Sequence, residues 1–207
     1  DRRPAGGAPL SPAFDEELYR WEQDYFFERC LGTHFHLPTR RRRALRRTPA
    51  LGKTASILAG LPRVLVHRDF QSQNLLVRRG AVALIDFQGM REGLAEYDLA
   101  SVLHDPYVSL TDAERNELLA IYAGFAGTTP ERLRPAFDLC VVQRMMQVLG
   151  AYGFLGWERG HTRFLQHIPP ALGSLRRALA RVPGLEALGA RLDGLRAPVE
   201  GSRPPPA

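Results

Sequence analysis

The sequence predicts a mainly α fold of the α+β class, in which a run of helices is interrupted once by a small β-hairpin. Two observations predict it. Apolar residues recur at helical spacing on both sides of residues 64–85, a period that gathers them on one helix face. Between them lie three apolar runs of strand length: Val64-Leu65-Val66, Leu75-Leu76-Val77 and Val82-Ala83-Leu84-Ile85. The last two are joined by Arg78-Arg79-Gly80, a turn sequence, and so read as a hairpin.

Residues 1–13, rich in Pro and Gly, predict a flexible lead-in. From Phe14 the pattern turns helical, with Phe14, Leu18, Trp21, Tyr25 and Glu28 on one stripe. Asp15, Glu16 and Glu17 sit where the helix dipole favours acids, and Gly32 is the expected stop. Residues 40–60 predict a second helix, broken by Pro62; Val64–Val66 reads as a buried strand, and the two hairpin runs, Leu75–Val77 and Val82–Ile85, as two more. Beyond residue 96, helices are predicted over 97–104, 112–126, 130–155, 161–182 and 184–195. One lobe over 14–196 is therefore expected, followed by a disordered tail over 197–207 that contains Pro204-Pro205-Pro206.

A chain of 207 residues can bury a sizeable core. Its 44% hydrophobic and 24% charged residues are ordinary for a soluble globular protein. No apolar run approaches the roughly 20 residues that span a bilayer, and Asp1-Arg2-Arg3-Pro4 lacks the apolar core of a signal peptide. Cys30 and Cys140 are the only cysteines and have no metal-like spacing. A cytoplasmic protein without a membrane partner is expected. The net charge of +6 suits phosphate-bearing ligands, and equally nucleic acid or an acidic surface.

The chemistry is concentrated in His67-Arg68-Asp69, followed after four residues by Asn74, and in Asp86 at the end of the next strand. Phosphoryl transfer needs a carboxylate beside the attacking hydroxyl and oxygen ligands that hold Mg²⁺ against the phosphates. A loop leaving one strand can present Asp69 and Asn74, and a hairpin returns Asp86 to the same end. Asp69 is thus the candidate catalytic residue, and Asn74 and Asp86 are the candidate metal ligands. ATP and Mg²⁺ are the expected cofactors, with a small hydroxyl-bearing acceptor as partner.

At these residues the chain resembles the protein-kinase-like phosphotransferases of the aminoglycoside phosphotransferase and choline kinase superfamily. Within that superfamily it is most similar to the bacterial cell-wall amino-sugar kinases, which phosphorylate the anomeric hydroxyl of N-acetylmuramate and N-acetylglucosamine. The carrying segments are Val64 to Phe70 with Asn74-Leu75, then Ile85-Asp86-Phe87-Gln88, Tyr97-Asp98-Leu99-Ala100, His104-Asp105, Asp138-Leu139 and Val142-Gln143-Arg144. The resemblance runs from about Leu18 to about Leu179. It implies the C-terminal lobe of a protein-kinase-like fold, with a small β-hairpin carrying the catalytic and metal-binding loops. It gives His67, Arg68 and Asp98 a role in supporting the catalytic loop. Gln88, Gln143 and Arg144 fall on the acceptor side; Arg144 is either a contact for an acidic sugar or one half of an internal ion pair. Members of this group also carry an N-terminal lobe with a phosphate-covering loop, a strand lysine and a helix glutamate. Only 66 residues precede His67, and the sole lysine, Lys53, lies in a helical stretch. The resemblance therefore implies a further kinase lobe upstream, of roughly 100 or more residues.

Other signals are discounted. Gly52-Lys53-Thr54 resembles the end of a P-loop, but position 47 is Arg47 where that motif needs Gly, and no strand precedes it. Arg40 to Arg43 with Arg46 and Arg47 reads as a solvated helix face, without the motifs of a nucleic-acid binder. His34 and His36 have no partner acid nearby. Met145 and Met146 read as core, and Phe154, Trp157 and Phe164 as helix packing. The alternatives to an amino-sugar kinase are an aminoglycoside or amino-alcohol kinase, or a non-catalytic lone lobe.

Overall fold

The computed structural model describes residues 10–195. Eight helices are present among them: α1 (Glu16–Tyr25), α2 (Thr39–Arg46), α3 (Pro49–Gly60), α4 (Ala95–Leu103), α5 (Asp112–Phe125), α6 (Pro130–Gly153), α7 (Ile168–Arg181) and α8 (Glu186–Asp193). Four short strands form two separate antiparallel pairs. β2 (Leu75–Arg78) and β3 (Ala81–Leu84) make the predicted hairpin. β1 (Val64–Val66) pairs with β4 (Arg91–Gly93), so that the segment from His67 to Met90 leaves and returns at one point. The fold is mainly helical with the one hairpin that the sequence predicts; the second small sheet, β1 with β4, is not one that it predicts.

The helices start where the sequence supplies caps. Asp15 accepts the Leu18 N–H at 2.8 Å and opens α1. Thr111 and Glu114 form a reciprocal capping box at α5. α6 is the central element, its middle turns fully buried from Cys140 to Met146, and Met145 and Met146 are core as expected. The helix axis of α6 comes close to α1 and the π-helix that continues it. A Cβ at Gly153 would lie 2.3 Å from the Arg29 carbonyl oxygen, and one at Gly150 would lie 2.9 Å from the Tyr25 carbonyl carbon. Backbone atoms cannot rotate away as a side chain can. Gly153→Ala should therefore lower the unfolding free energy by about 1–3 kcal/mol. Gly124→Ala, with open space around the new methyl, should be neutral or stabilising by up to about 1 kcal/mol. Urea melts of the two variants beside the parent check both.

Several expectations need correction. The first helix starts at Glu16, and Phe14 precedes it. Its buried face is Tyr19, Glu22 and Gln23, while Trp21 is half exposed. Gly32 does not stop it, because α1 passes into a π-helix over Phe26–His34. The single helix over 40–60 is two, α2 and α3, since Pro49 opens a new helix at a position where its missing N–H costs nothing. The helix over 161–182 begins only at Ile168; Pro169 and Pro170 occupy its first turn and a 3₁₀ stretch, Thr162–His167, precedes it. The strands are less buried than expected: in β1 only Val66 is core, while Val64 and Leu65 are exposed, and in the hairpin Leu76, Val77 and Val82 are exposed, Val77 at 73%. Ser11 N–H donates to Met90 O, so the described end of the lead-in is tied to the sheet segment. The tail over 197–207 lies outside the described residues.

No helix among the described residues is long and apolar enough to cross a membrane. Cys30 and Cys140 are free and buried.

Candidate active site

The site is built on the loop between β1 and β2. Its first two residues are fixed by α4. The Asp98 carboxylate, in the first turn of α4, accepts the His67 N–H at 2.6 Å and the Arg68 N–H at 2.8 Å. Arg68 adopts a left-handed backbone conformation, φ 75°, which a side chain other than glycine resists by about 1–2 kcal/mol. The two bonds to one carboxylate hold that kink. Burial pushes the Asp98 pKa up, against the pull of these two N–H groups. The His67 ring bonds through Nε2 to the Ile85 carbonyl at 3.0 Å. A carbonyl only accepts, so Nε2 carries the proton. This bond ties the start of the loop to the residue before Asp86.

Asp69 follows. Its Oδ1 accepts from Arg144 Nη1 at 2.9 Å. The Arg144 side chain is 3% exposed and that of Asp69 34%, so the carboxylate reaches solvent while its counter-ion does not. Burial raises the Asp69 pKa, but Arg144, Arg68 and His67 together outweigh it and hold the carboxyl below its usual range. Asp69 is therefore ionised at neutral pH. Of the two roles expected for Arg144, the structure shows the internal ion pair.

Asn74 is buried, and its Nδ2 donates to the Asp69 carbonyl at 2.9 Å. The Asn74 carbonyl accepts the Ile85 N–H at 3.0 Å, which sets Asn74 beside the segment that carries Asp86. Asp86 is exposed, in a left-handed conformation at φ 63°, and Gln88 donates its amide to Oδ1. No group of three or more His, Cys, Asp or Glu side chains with metal-holding geometry exists among the described residues. The candidate donors here are one amide oxygen and one carboxylate, the hard-oxygen types that Mg²⁺ takes.

Gln143 does not face the acceptor side as expected. It is fully buried. Its Nε2 donates to the Tyr19 carbonyl and to Glu22 Oε2, and its Oε1 accepts from Gln23. Three supporting residues escaped the sequence reading. Asp105 accepts the Ser72 N–H at 2.6 Å within the loop; the His-Asp pair after α4 signalled it without giving it a role. Ser101 Oγ lies 3.4 Å from the Arg68 carbonyl. Glu22, fully buried on α1, had no signal at all.

Burial raises the Glu22 pKa from 4.5 to about 7, against the lowering effects of Gln143, Arg68, Tyr97 and Arg144. A carboxyl whose folded value exceeds its unfolded value favours folding most below about pH 4.5, and that contribution is lost as pH rises through about 7. Glu22→Gln should therefore gain on the parent by about 2–3 kcal/mol between pH 5 and pH 8. Thermal melts across that range check the sign. Burial likewise depresses His34 to about 4 and His104 to about 3. Both favour folding above the ordinary imidazole range and withdraw that support as pH falls below it.

The discounted signals occupy structural positions. Lys53 lies within α3, in no loop, and lines a cleft of about 730 Å³ between α3, α6 and the end of α7 that contains none of the loop residues. Arg42 pairs with Glu28 and Arg46 with Asp24, anchoring α2 to the first helix and its π continuation. Trp157 donates its indole N–H to His34 Nδ1. Phe164 stacks on Tyr152, and Phe154 packs obliquely on Tyr25.

A family model described as the phosphotransferase enzyme family matches residues 3–136. The N-acetylmuramate/N-acetylglucosamine kinase of Pseudomonas aeruginosa is 29% identical over 195 residues, 91% of this chain and 58% of that protein. The protein of the same name from Pseudomonas putida is 31% identical over 198 residues, 92% of this chain and 58% of its own length. That from Neisseria meningitidis is 32% identical over 142 residues, covering 65% and 42%. The chain thus spans a little over half the length of the first two.

Proposed function

Because the chain belongs to the phosphotransferase enzyme family, we propose that it is the C-terminal catalytic lobe of a protein-kinase-like small-molecule kinase. Its reaction is ATP-dependent phosphorylation of a hydroxyl group. The acceptor is a cell-wall amino sugar, N-acetylmuramate or N-acetylglucosamine, at the anomeric hydroxyl. Similarity to kinases bearing those names over about nine-tenths of the chain supports the acceptor class.

The observation that carries the reading is the ionised, solvent-reaching Asp69 carboxylate, locked by a buried arginine and set in the loop that also carries Asn74. The acceptor hydroxyl donates to the free oxygen of Asp69. The acceptor oxygen attacks the γ-phosphorus, ADP leaves, and the hydroxyl proton passes to Asp69. A carboxyl held below its usual range is a weak base, so Asp69 orients the hydroxyl first and takes the proton late, once the oxygen has begun to bond to phosphorus. Asn74, through its amide oxygen, and Asp86, through its carboxylate, would hold Mg²⁺. When bound, the ion neutralises charge developing on the phosphate oxygens.

An upstream lobe forms the remainder of the nucleotide site. Leu76, Val77 and Val82 of the hairpin, and Val64, Leu65 and Phe87, are large apolar residues left exposed, which a further lobe would cover. The chain's share of its relatives' length supports the same reading.

The test uses the longest chain that the reading frame encodes. ADP release is followed with ATP, Mg²⁺ and each amino sugar, with an aminoglycoside and choline as comparison acceptors. Sugar-dependent release is expected. Release only with a comparison acceptor would keep the reaction and overturn the acceptor. Release with none of them would overturn the reaction.

A further inference from the structure

Glu22 is a buried carboxylate that the phosphoryl-transfer reading does not use. Taking an ionisable group out of water costs several kcal/mol unless partners recover it, so its presence asks for a reason. Its two oxygens have two partners. Tyr97 donates its hydroxyl to Oε1 at 3.0 Å, and Gln143 donates Nε2 to Oε2 at 3.0 Å.

Both partners bear on Arg144. The Arg144 guanidinium carbon lies 5.9 Å from the centre of the Tyr97 ring, within cation–π range. Gln143 is its chain neighbour, and the Gln143 amide is pinned on its other sides by Tyr19 and Gln23. Arg144 itself spends Nη1 on Asp69 at 2.9 Å and on Gln147 at 2.8 Å, while its buried Nε has no partner. One edge of the guanidinium therefore meets the site, and its face rests on a ring oriented by Glu22. The charged and titratable groups that act on or from Glu22 are Tyr19 on α1, Arg68 in the loop, Arg91 on β4, Tyr97 on α4, and Cys140 and Arg144 on α6. Three of these are guanidiniums. Asp69 acts on or from the same three.

We infer that Glu22 is a positioning residue: by holding Tyr97 and Gln143 it fixes the guanidinium of Arg144, which in turn fixes Asp69. Its importance for turnover rests on the reading of Asp69 given above, but the coupling to Arg144 can be followed without turnover.

The experiment is nitrogen-15 NMR of the arginine-labelled chain, with the Arg144 Nε–H signal assigned by its loss in Arg144→Lys. In the parent, that signal should exchange slowly and shift with a single midpoint near pH 7, where Glu22 titrates. In Glu22→Gln, which keeps the shape but offers one acceptor oxygen where two donors now bind, the midpoint should vanish. Exchange should quicken about tenfold, the change that losing one charge-assisted hydrogen bond allows. Tyr97→Phe should keep the midpoint and still quicken exchange. An Arg144 signal in folded Glu22→Gln that titrates as before and exchanges within about twofold of the parent would overturn the inference. If that variant does not fold, the parent decides alone: a signal that does not move between about pH 5.5 and 8.5 overturns it. Coupling without turnover would sink the kinase reading and leave this one standing. Turnover without coupling would do the reverse.

Discussion

Asp69→Asn should reduce kcat by about 10²- to 10⁴-fold while leaving KM for the acceptor within a few-fold. The substitution keeps an oxygen where Arg144 Nη1 now donates, at 2.9 Å, so the loop should hold its shape. What it removes is the negative charge that orients the acceptor hydroxyl and receives its proton. The two partners of this ion pair are not equivalent. With Asp69 neutralised, Arg144 is left charged at 3% exposure; with Arg144 removed, Asp69 still reaches water at 34%. Breaking a buried pair costs about 3–5 kcal/mol when a buried charge is stranded. Asp69→Asn should therefore also lower stability, but by less than this, because the amide oxygen remains as an acceptor. Steady-state kinetics and urea melts on the same preparation separate the two effects. A variant that turns over within tenfold of the parent would remove Asp69 from the reaction.

The parts of this site that could be read from sequence are those whose geometry is local. His67, Arg68, Asp69 and Asn74 lie within one loop between two apolar runs, and Asp86 follows one hairpin later, so spacing alone brings them together. The parts that could not be read are set by packing over long separations. Arg144 meets Asp69 across 75 positions, and no local pattern distinguishes an arginine that faces ligand from one that faces protein. Glu22 and Gln23 are hidden for a sharper reason. Periodicity assigns the buried face of a helix by its apolar residues, and here two polar residues occupy that face while Trp21 lies outside. β4 was missed likewise. Arg91-Glu92-Gly93 has no apolar residue to mark a strand, and its pairing with β1 depends on where the intervening loop returns. The hairpin was placed correctly and its burial was not, because apolar strand residues signal a covered face without saying which part of a molecule covers it.

Asp98→Ala should destabilise the chain by about 3–5 kcal/mol and abolish turnover even though Asp98 touches no reacting atom. Its carboxylate is the partner of two consecutive backbone donors, His67 N–H at 2.6 Å and Arg68 N–H at 2.8 Å. Each donor left unsatisfied in a partly buried position costs about 1–3 kcal/mol. The second consequence is conformational. Arg68 is held at φ 75°, and with the carboxylate gone the two bonds that oppose the preference of an L-residue for negative φ are lost. Relaxation of Arg68 turns the next residue, which is Asp69, away from Arg144. Asp98→Asn should fall between parent and Ala, since an amide offers one acceptor oxygen and turns its NH₂ toward the other donor. Hydrogen exchange of the His67 and Arg68 amides provides the direct check. Both should be protected in the parent, one of them in Asp98→Asn and neither in Asp98→Ala. Unchanged protection in the Ala variant would show that the loop is held by its other ties, the His67 ring on Ile85 and the Asp105 carboxylate on Ser72.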